Sequence, residues 1–84
     1  MRVLIVEDNP ELVALLKKGL AQGGLPADSV GTAADARHVL ATMQYSAVVL
    51  DIGLPDDDGI ALLRDLRRRG ESIPVLVLTG REGV

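Results

Sequence analysis

The chain contains no cysteine, no tryptophan and no phenylalanine, and Tyr45 is its only aromatic residue. No disulfide framework and no thiolate metal site can therefore be built. A single ring also makes no stacking platform for nucleic-acid bases. With so little aromatic volume, the core has to be packed from Leu, Val, Ile and Ala. Basic residues are scarce, and lysine occurs only at Lys17 and Lys18. The one basic cluster is Arg64, Arg67, Arg68 and Arg69. It falls at the end of an expected helix, where cations favour the negative end of the dipole, so we read no nucleic-acid contact from it. No apolar run approaches the length of a membrane span. The N-terminal run is too short for a signal-peptide core and meets acids at once. No membrane partner is expected, and the lack of cysteine is compatible with a cytoplasmic, reducing compartment.

What is present suits one small globular domain spanning residues 1–84. Hydrophobic residues make up 48% of the 84, and the net charge is −3. A chain of this size buries only about 60% of its unfolded surface, so its stability margin is thin. Three short apolar runs each end on a polar group. Val3-Leu4-Ile5-Val6 meets Glu7-Asp8, Ala47-Val48-Val49-Leu50 meets Asp51, and Val75-Leu76-Val77-Leu78 meets Thr79. Runs of this length bounded by turn signals read as strands buried on both faces.

Between them lie helical patterns. Asn9-Pro10 offers an N-cap and a first helical residue, and Gly23-Gly24 a stop. Leu12, Val13, Leu16 and Leu20 form the stripe this helix should bury. A weaker strand is expected at Ala27 to Val30. Thr32 and Asp35 carry a capping signal for a second helix with Ala36, Val39, Leu40 and Met43 inward. His38 reads as a surface residue of this helix, and Tyr45 closes its end. After Asp56-Asp57-Asp58-Gly59 a third helix points Ile60, Leu63 and Leu66 inward and ends near Gly70. The acidic run lacks the alternating spacing of a calcium loop and reads as a solvated loop capping the third helix. Alternating strands and helices imply parallel βαβ units with right-handed crossovers.

In such a sheet the ligand crevice lies outside the carboxyl ends of the strands. Glu7, Asp8, Asp51 and Thr79 would therefore share one rim. Carboxylates crowded together repel, and a hard divalent cation relieves them. A carboxylate can also act as a nucleophile toward a phosphoryl group, and a hydroxyl can donate to the phosphoryl oxygens.

Four blocks carry a family resemblance: Val3-Leu4-Ile5-Val6-Glu7-Asp8-Asn9, Val49-Leu50-Asp51-Ile52-Gly53-Leu54-Pro55, Asp58-Gly59, and Val77-Leu78-Thr79-Gly80-Arg81. In this order and separation they resemble the receiver domain of bacterial two-component response regulators, from Arg2 to Arg81. The resemblance implies a flavodoxin-like, doubly wound parallel sheet of order 2-1-3-4, with four strands and three helices. It implies Asp51 as phosphoacceptor and Mg2+ as cofactor. Asp8 would bind the metal directly, Glu7 largely through a metal-bound water, and the Gly53 carbonyl would be a further ligand. Thr79 would be the switch hydroxyl. The donor would be a phosphohistidine on a sensor histidine kinase, and the receiver would be no enzyme in its own right. The start and the Leu-Pro-Asp-Asp-Asp-Gly loop look most like DNA-binding, transcription-regulating members.

The chain departs from the pattern in one respect that bears on chemistry. The family places a lysine at the end of a fifth strand, whereas Lys17 and Lys18 fall on the first helix. The fourth helix, fifth strand and fifth helix are also missing from the 84 residues, which therefore read as a receiver fragment. An uncovered fourth strand would then favour a homodimer or a domain-swapped assembly. The alternative reading is a non-signalling fragment that self-associates with its site idle. The aspartate-nucleophile phosphatases also use a strand-end Asp, but they expect a second Asp where this chain has Gly53.

Overall fold

The computed structural model describes residues 1–78. Strands and helices alternate as β1 Val3–Val6, α1 Pro10–Gln22, β2 Ala27–Val30, α2 Ala33–Thr42, β3 Ala47–Asp51, α3 Gly59–Arg68 and β4 Val75–Leu78. The four strands form one sheet of order β2-β1-β3-β4. All neighbouring pairs are parallel. Val6 lies opposite both Val30 and Leu50, and Asp51 lies opposite Leu78. The carboxyl ends of the strands are thus nearly flush, so the residues that follow them emerge on one rim.

Strand alternation sorts the aliphatic core onto two faces. Leu4, Val6, Val48 and Leu50 pack with Ala33 and Ala36 of α2 and Leu62 of α3. Val3, Ile5 and Val49 pack on the other face with Val13, Leu16 and Leu20 of α1. Every residue of β1 is buried, as are the last four of β3. The two central strands therefore match the expectation of strands buried on both faces.

The helix ends follow their cap residues. Asn9 Oδ1 accepts from the Glu11 and Leu12 amides at 3.0 and 3.3 Å, with Pro10 as the first residue of α1. Thr32 Oγ1 accepts from the Asp35 amide at 3.1 Å. Asp58 Oδ1 accepts from the Ile60 amide at 2.9 Å and caps α3. At the other end of α3, Arg67 and Arg68 occupy the last turn. Arg67 Nη1 donates to the Glu71 carbonyl at 2.8 Å, which favours the dipole reading of the basic cluster.

Four expectations need correction. The apolar stripe of α1 is only half-buried, and none of its residues is fully so, because one side of the helix faces solvent. Along α3 the fully buried side chains are Leu62 and Leu66, while Ile60 and Leu63 are half-buried. Gly59, Leu62 and Leu66 fall at i, i+3 and i+7, so the inward line runs one residue away from Ile60 and Leu63. Finally, β4 is not buried on both faces, since Leu76 is 63% exposed. Among the described residues it has a neighbour, β3, on one side only. Met43 is exposed for a simpler reason: α2 ends at Thr42, and Met43 takes up extended backbone.

Near the amino ends of the strands a polar cluster ties distant segments together. Arg2 donates from Nε and Nη2 to both oxygens of Asp28, at 2.9 and 3.0 Å. The Tyr45 hydroxyl donates to Asp28 Oδ2 at 2.7 Å. The lone aromatic thus closes the segment after α2 by joining the start of β1 and the strand β2.

Candidate functional site

At the carboxyl rim, β1 delivers Glu7 and Asp8, and β3 ends on Asp51. One carboxylate oxygen from each of the three comes within 4.8 Å of the others. Glu7 and Asp51 are buried, whereas Asp8 is exposed. The spacing arises because β1 and β3 are adjacent and in register: Val6 faces Leu50, so the next residues on each strand lie side by side.

Neighbouring backbone amides orient the two buried acids. Asn9 N–H donates to Glu7 Oε2 at 2.9 Å, so the residue that caps α1 also fixes the acid before it. Gly53 N–H donates to Asp51 Oδ1 at 3.0 Å. Burial pushes the Glu7 carboxyl above the ordinary carboxylate range, the Asn9 amide opposes this, and the charges of Asp51 and Asp8 push it further up. A rim of this kind holds negative charge at a cost, and a cation would offset it.

Behind the rim, the backbone is packed tightly. Gly59 N–H donates to the Ile52 carbonyl at 3.0 Å. A Cβ at position 59 would lie 2.6 Å from both the Asp51 carbonyl oxygen and the Ile52 Cα. Only glycine lets α3 start so close to the strand that carries Asp51. The intervening loop also pairs with itself, through a bridge between Gly53 and Asp58.

The structure thus brings together Glu7, Asp8 and Asp51, with Gly53 beside Asp51 and its carbonyl on the loop leaving the rim. Thr79 lies outside the described residues, although the residue before it, Leu78, is opposite Asp51. Hard oxygen donors in a cluster of three suit Mg2+ and exclude soft-metal chemistry. The residues present therefore fit the cation that the sequence implies.

The acidic run after Asp51 does more than cap α3. Asp56 accepts from the Ala33 and Ala34 amides at 2.8 and 3.0 Å. Arg37 Nη2 donates to Asp57 Oδ2 at 3.0 Å and to Asp65 Oδ2 at 2.9 Å. The two α2 amides hold the Asp56 carboxyl below its usual range, and the Arg37 guanidinium does the same for Asp57. Sequence reasoning missed both links. The available signal was an acidic run followed by a glycine, which describes a helix start equally well.

The family profile of the response regulator receiver domain matches residues 3–84. The chain is 44% identical over 84 residues to the transcriptional regulatory protein TctD of Salmonella typhimurium (strain LT2), covering 100% of this chain and 38% of that protein. It is also 44% identical over 84 residues to the transcriptional activator protein IrlR of Burkholderia pseudomallei (strain K96243), covering 100% of this chain and 36% of the relative. The chain therefore spans little more than a third of the length of these relatives. Among solved structures, the MaeR response regulator bound to beryllium trifluoride superposes with a TM-score of 0.91 at 36% identity, covering 98% of this chain and 69% of that one. A chain from the complex of histidine kinase ThkA with response regulator protein TrrA gives 0.88 at 26% identity, covering 99% and 73%. Sheet order, acidic rim and sequence agree: the chain belongs to the response regulator receiver domain family.

Proposed function

We propose that this chain is a phosphoacceptor module of two-component signalling, in which Asp51 takes a phosphoryl group from a histidine of a sensor kinase. The observation that carries this reading is the convergence of Glu7, Asp8 and Asp51 within 4.8 Å. Asp51 Oδ1 is engaged by the Gly53 amide, which leaves Oδ2 as the nucleophile. Oδ2 forms the new O–P bond as the N–P bond of the phosphohistidine breaks. The departing imidazole keeps the electron pair and takes up a proton. Glu7, Asp8, Asp51 and the Gly53 carbonyl would hold Mg2+, with Glu7 acting largely through water. When bound, the cation supplies charge neutralisation between the carboxylates and the phosphoryl oxygens. Thr79 would donate its hydroxyl to the phosphoryl group once it is attached. The complex of ThkA with TrrA, in which a chain of similar fold meets a histidine kinase, supports a kinase as partner. The names of the relatives support transcription as the output of a longer protein.

The test uses a small acyl-phosphate donor with Mg2+, read by intact mass. We expect one phosphoryl increment in the parent chain, none in Asp51→Asn, and none in EDTA. A parent chain that gains no mass would overturn the reading.

A second reading has its own observation. Among the described residues β4 is an edge strand, and its Leu76 is 63% exposed. An open apolar edge is a template for pairing, so self-association of this chain through β4 is the alternative role.

A further inference from the structure

The loop after Asp51 is anchored at three points, one for each acid of its run. Asp58 caps α3 by accepting from the Ile60 amide at 2.9 Å. Asp57 meets Arg37 of α2 at 3.0 Å, and the same guanidinium nitrogen reaches Asp65 of α3 at 2.9 Å. Asp56 places both oxygens on the first amides of α2, at 2.8 Å from Ala33 N and 3.0 Å from Ala34 N. With Thr32 accepting from Asp35 N at 3.1 Å, the first three amides of α2 all have side-chain partners. Two of these partners come from one carboxylate lying on the loop that leaves the acceptor.

The geometry points to Asp56 as a positioning residue for the acidic rim: by gripping the start of α2, it fixes the loop that carries Gly53 and so sets how tightly the rim holds Mg2+. This rests on the phosphoacceptor reading and extends it to a residue that touches neither metal nor phosphoryl group. The physical case is one of loop freedom. Gly53 bonds to Asp51 at 3.0 Å and bridges to Asp58, so its carbonyl is set by the whole loop rather than by a regular strand. A loop tied only at its two ends still has its tip free. Asp56 sits at that tip and accepts from amides at a helix N-terminus, a contact that an Asn or Asp oxygen makes about equally well. Arg37 then holds the adjacent residue, Asp57, to the same helix. Partners that orient metal ligands without touching the metal are generally worth about 10–100-fold in affinity.

The experiment measures Mg2+ affinity by calorimetry, and melting temperature in EDTA, for the parent chain, Asp56→Ala, Asp56→Asn and Asp8→Ala. We expect Asp56→Ala to weaken Mg2+ binding about tenfold. Asp56→Asn lacks the charge but retains an acceptor oxygen for the α2 amides, and it should recover most of that loss. Asp56→Ala with unchanged Mg2+ affinity and a lowered melting temperature would make Asp56 a helix cap only. Equal weakening in both Asp56 variants would assign the effect to charge at a distance and overturn the grip. A parent that binds Mg2+ no better than Asp8→Ala would overturn the metal site itself, a result distinct from either of these. Should Asp56→Ala fail to fold, Asp56→Asn alone decides, because a tenfold loss in that variant contradicts the grip.

Discussion

Glu7 shows how a single side chain can carry two opposing demands. It is buried at the rim, with one oxygen held by the Asn9 amide and two further acids close by. Folding raises its pKa, so the folded state binds the Glu7 proton more tightly than the unfolded chain does. A group of this sign favours folding at low pH, and that contribution is lost as pH rises through the folded value. Above the folded value the metal-free, charged Glu7 therefore works against the fold. We expect Glu7→Gln to raise the melting temperature in EDTA by a few degrees, and to reduce the further rise that Mg2+ produces. Thermal melts with and without Mg2+ check both halves; a Glu7→Gln chain less stable than its parent in EDTA contradicts the proposed strain. The identity of this residue was plain in the sequence, because a run of apolar residues ended on it. The repulsion from Asp51 was legible too, but the larger cause of its raised pKa, burial of the carboxyl, was not, because that depends on how the folded chain packs around it.

At the scale of elements, legibility followed the range of the interaction. Asn9, Thr32 and Asp58 cap their helices through bonds to residues two or three positions on, and each could be read locally. Asp56 and Arg37 act across twenty residues or more, with nothing nearby to announce the partner. The phase of α3 was misjudged because its apolar residues outnumber its buried ones. Leu66 is buried as expected, Leu62 is fully buried beside it, and Leu63 packs against the same core only partly buried. The apolar run of β4 alone reads as a buried strand, whereas the family pattern reads the fourth strand as uncovered, and Leu76 at 63% exposed agrees with the latter. Its edge gives a prediction: Leu76→Lys should leave the melting temperature nearly unchanged while suppressing any self-association at high protein concentration. Light scattering across a concentration series checks this, and a parent chain that stays monomeric throughout removes the self-association reading.

Across the whole molecule, the two ends of the sheet respond to acid in opposite senses. At the carboxyl rim, protonation of Glu7 relieves charge. At the amino end, Arg2 and the Tyr45 hydroxyl hold the Asp28 carboxyl below its ordinary value of 3.8. A depressed carboxyl contributes stability above its unfolded pKa and loses it as pH falls through the folded one. The contact is partly exposed, so its share is modest after solvent screening. We expect Asp28→Asn to melt below the parent at neutral pH, and the two curves to converge as pH falls below the ordinary carboxylate range. Melting temperature against pH for the pair tests this, and a constant offset at every pH contradicts it. Alternation of strand and helix and the converging acids were visible in the sequence through periodicity and strand ends, whereas the sheet order came from the family resemblance. The cluster of Arg2, Asp28 and Tyr45 was not, since none of the three belongs to a recognisable local motif.

The close approach at Gly59 has a practical bearing on any comparison of two states of this chain. There the helix start meets the end of the strand that carries Asp51 main chain to main chain, with no room for even one added carbon. A contact without side chains has no rotamers to take up slack, so the end of β3 and the first turn of α3 should move together. That junction is the natural reference point of the molecule: displacements elsewhere are best measured after superposing on the end of β3 and the first turn of α3.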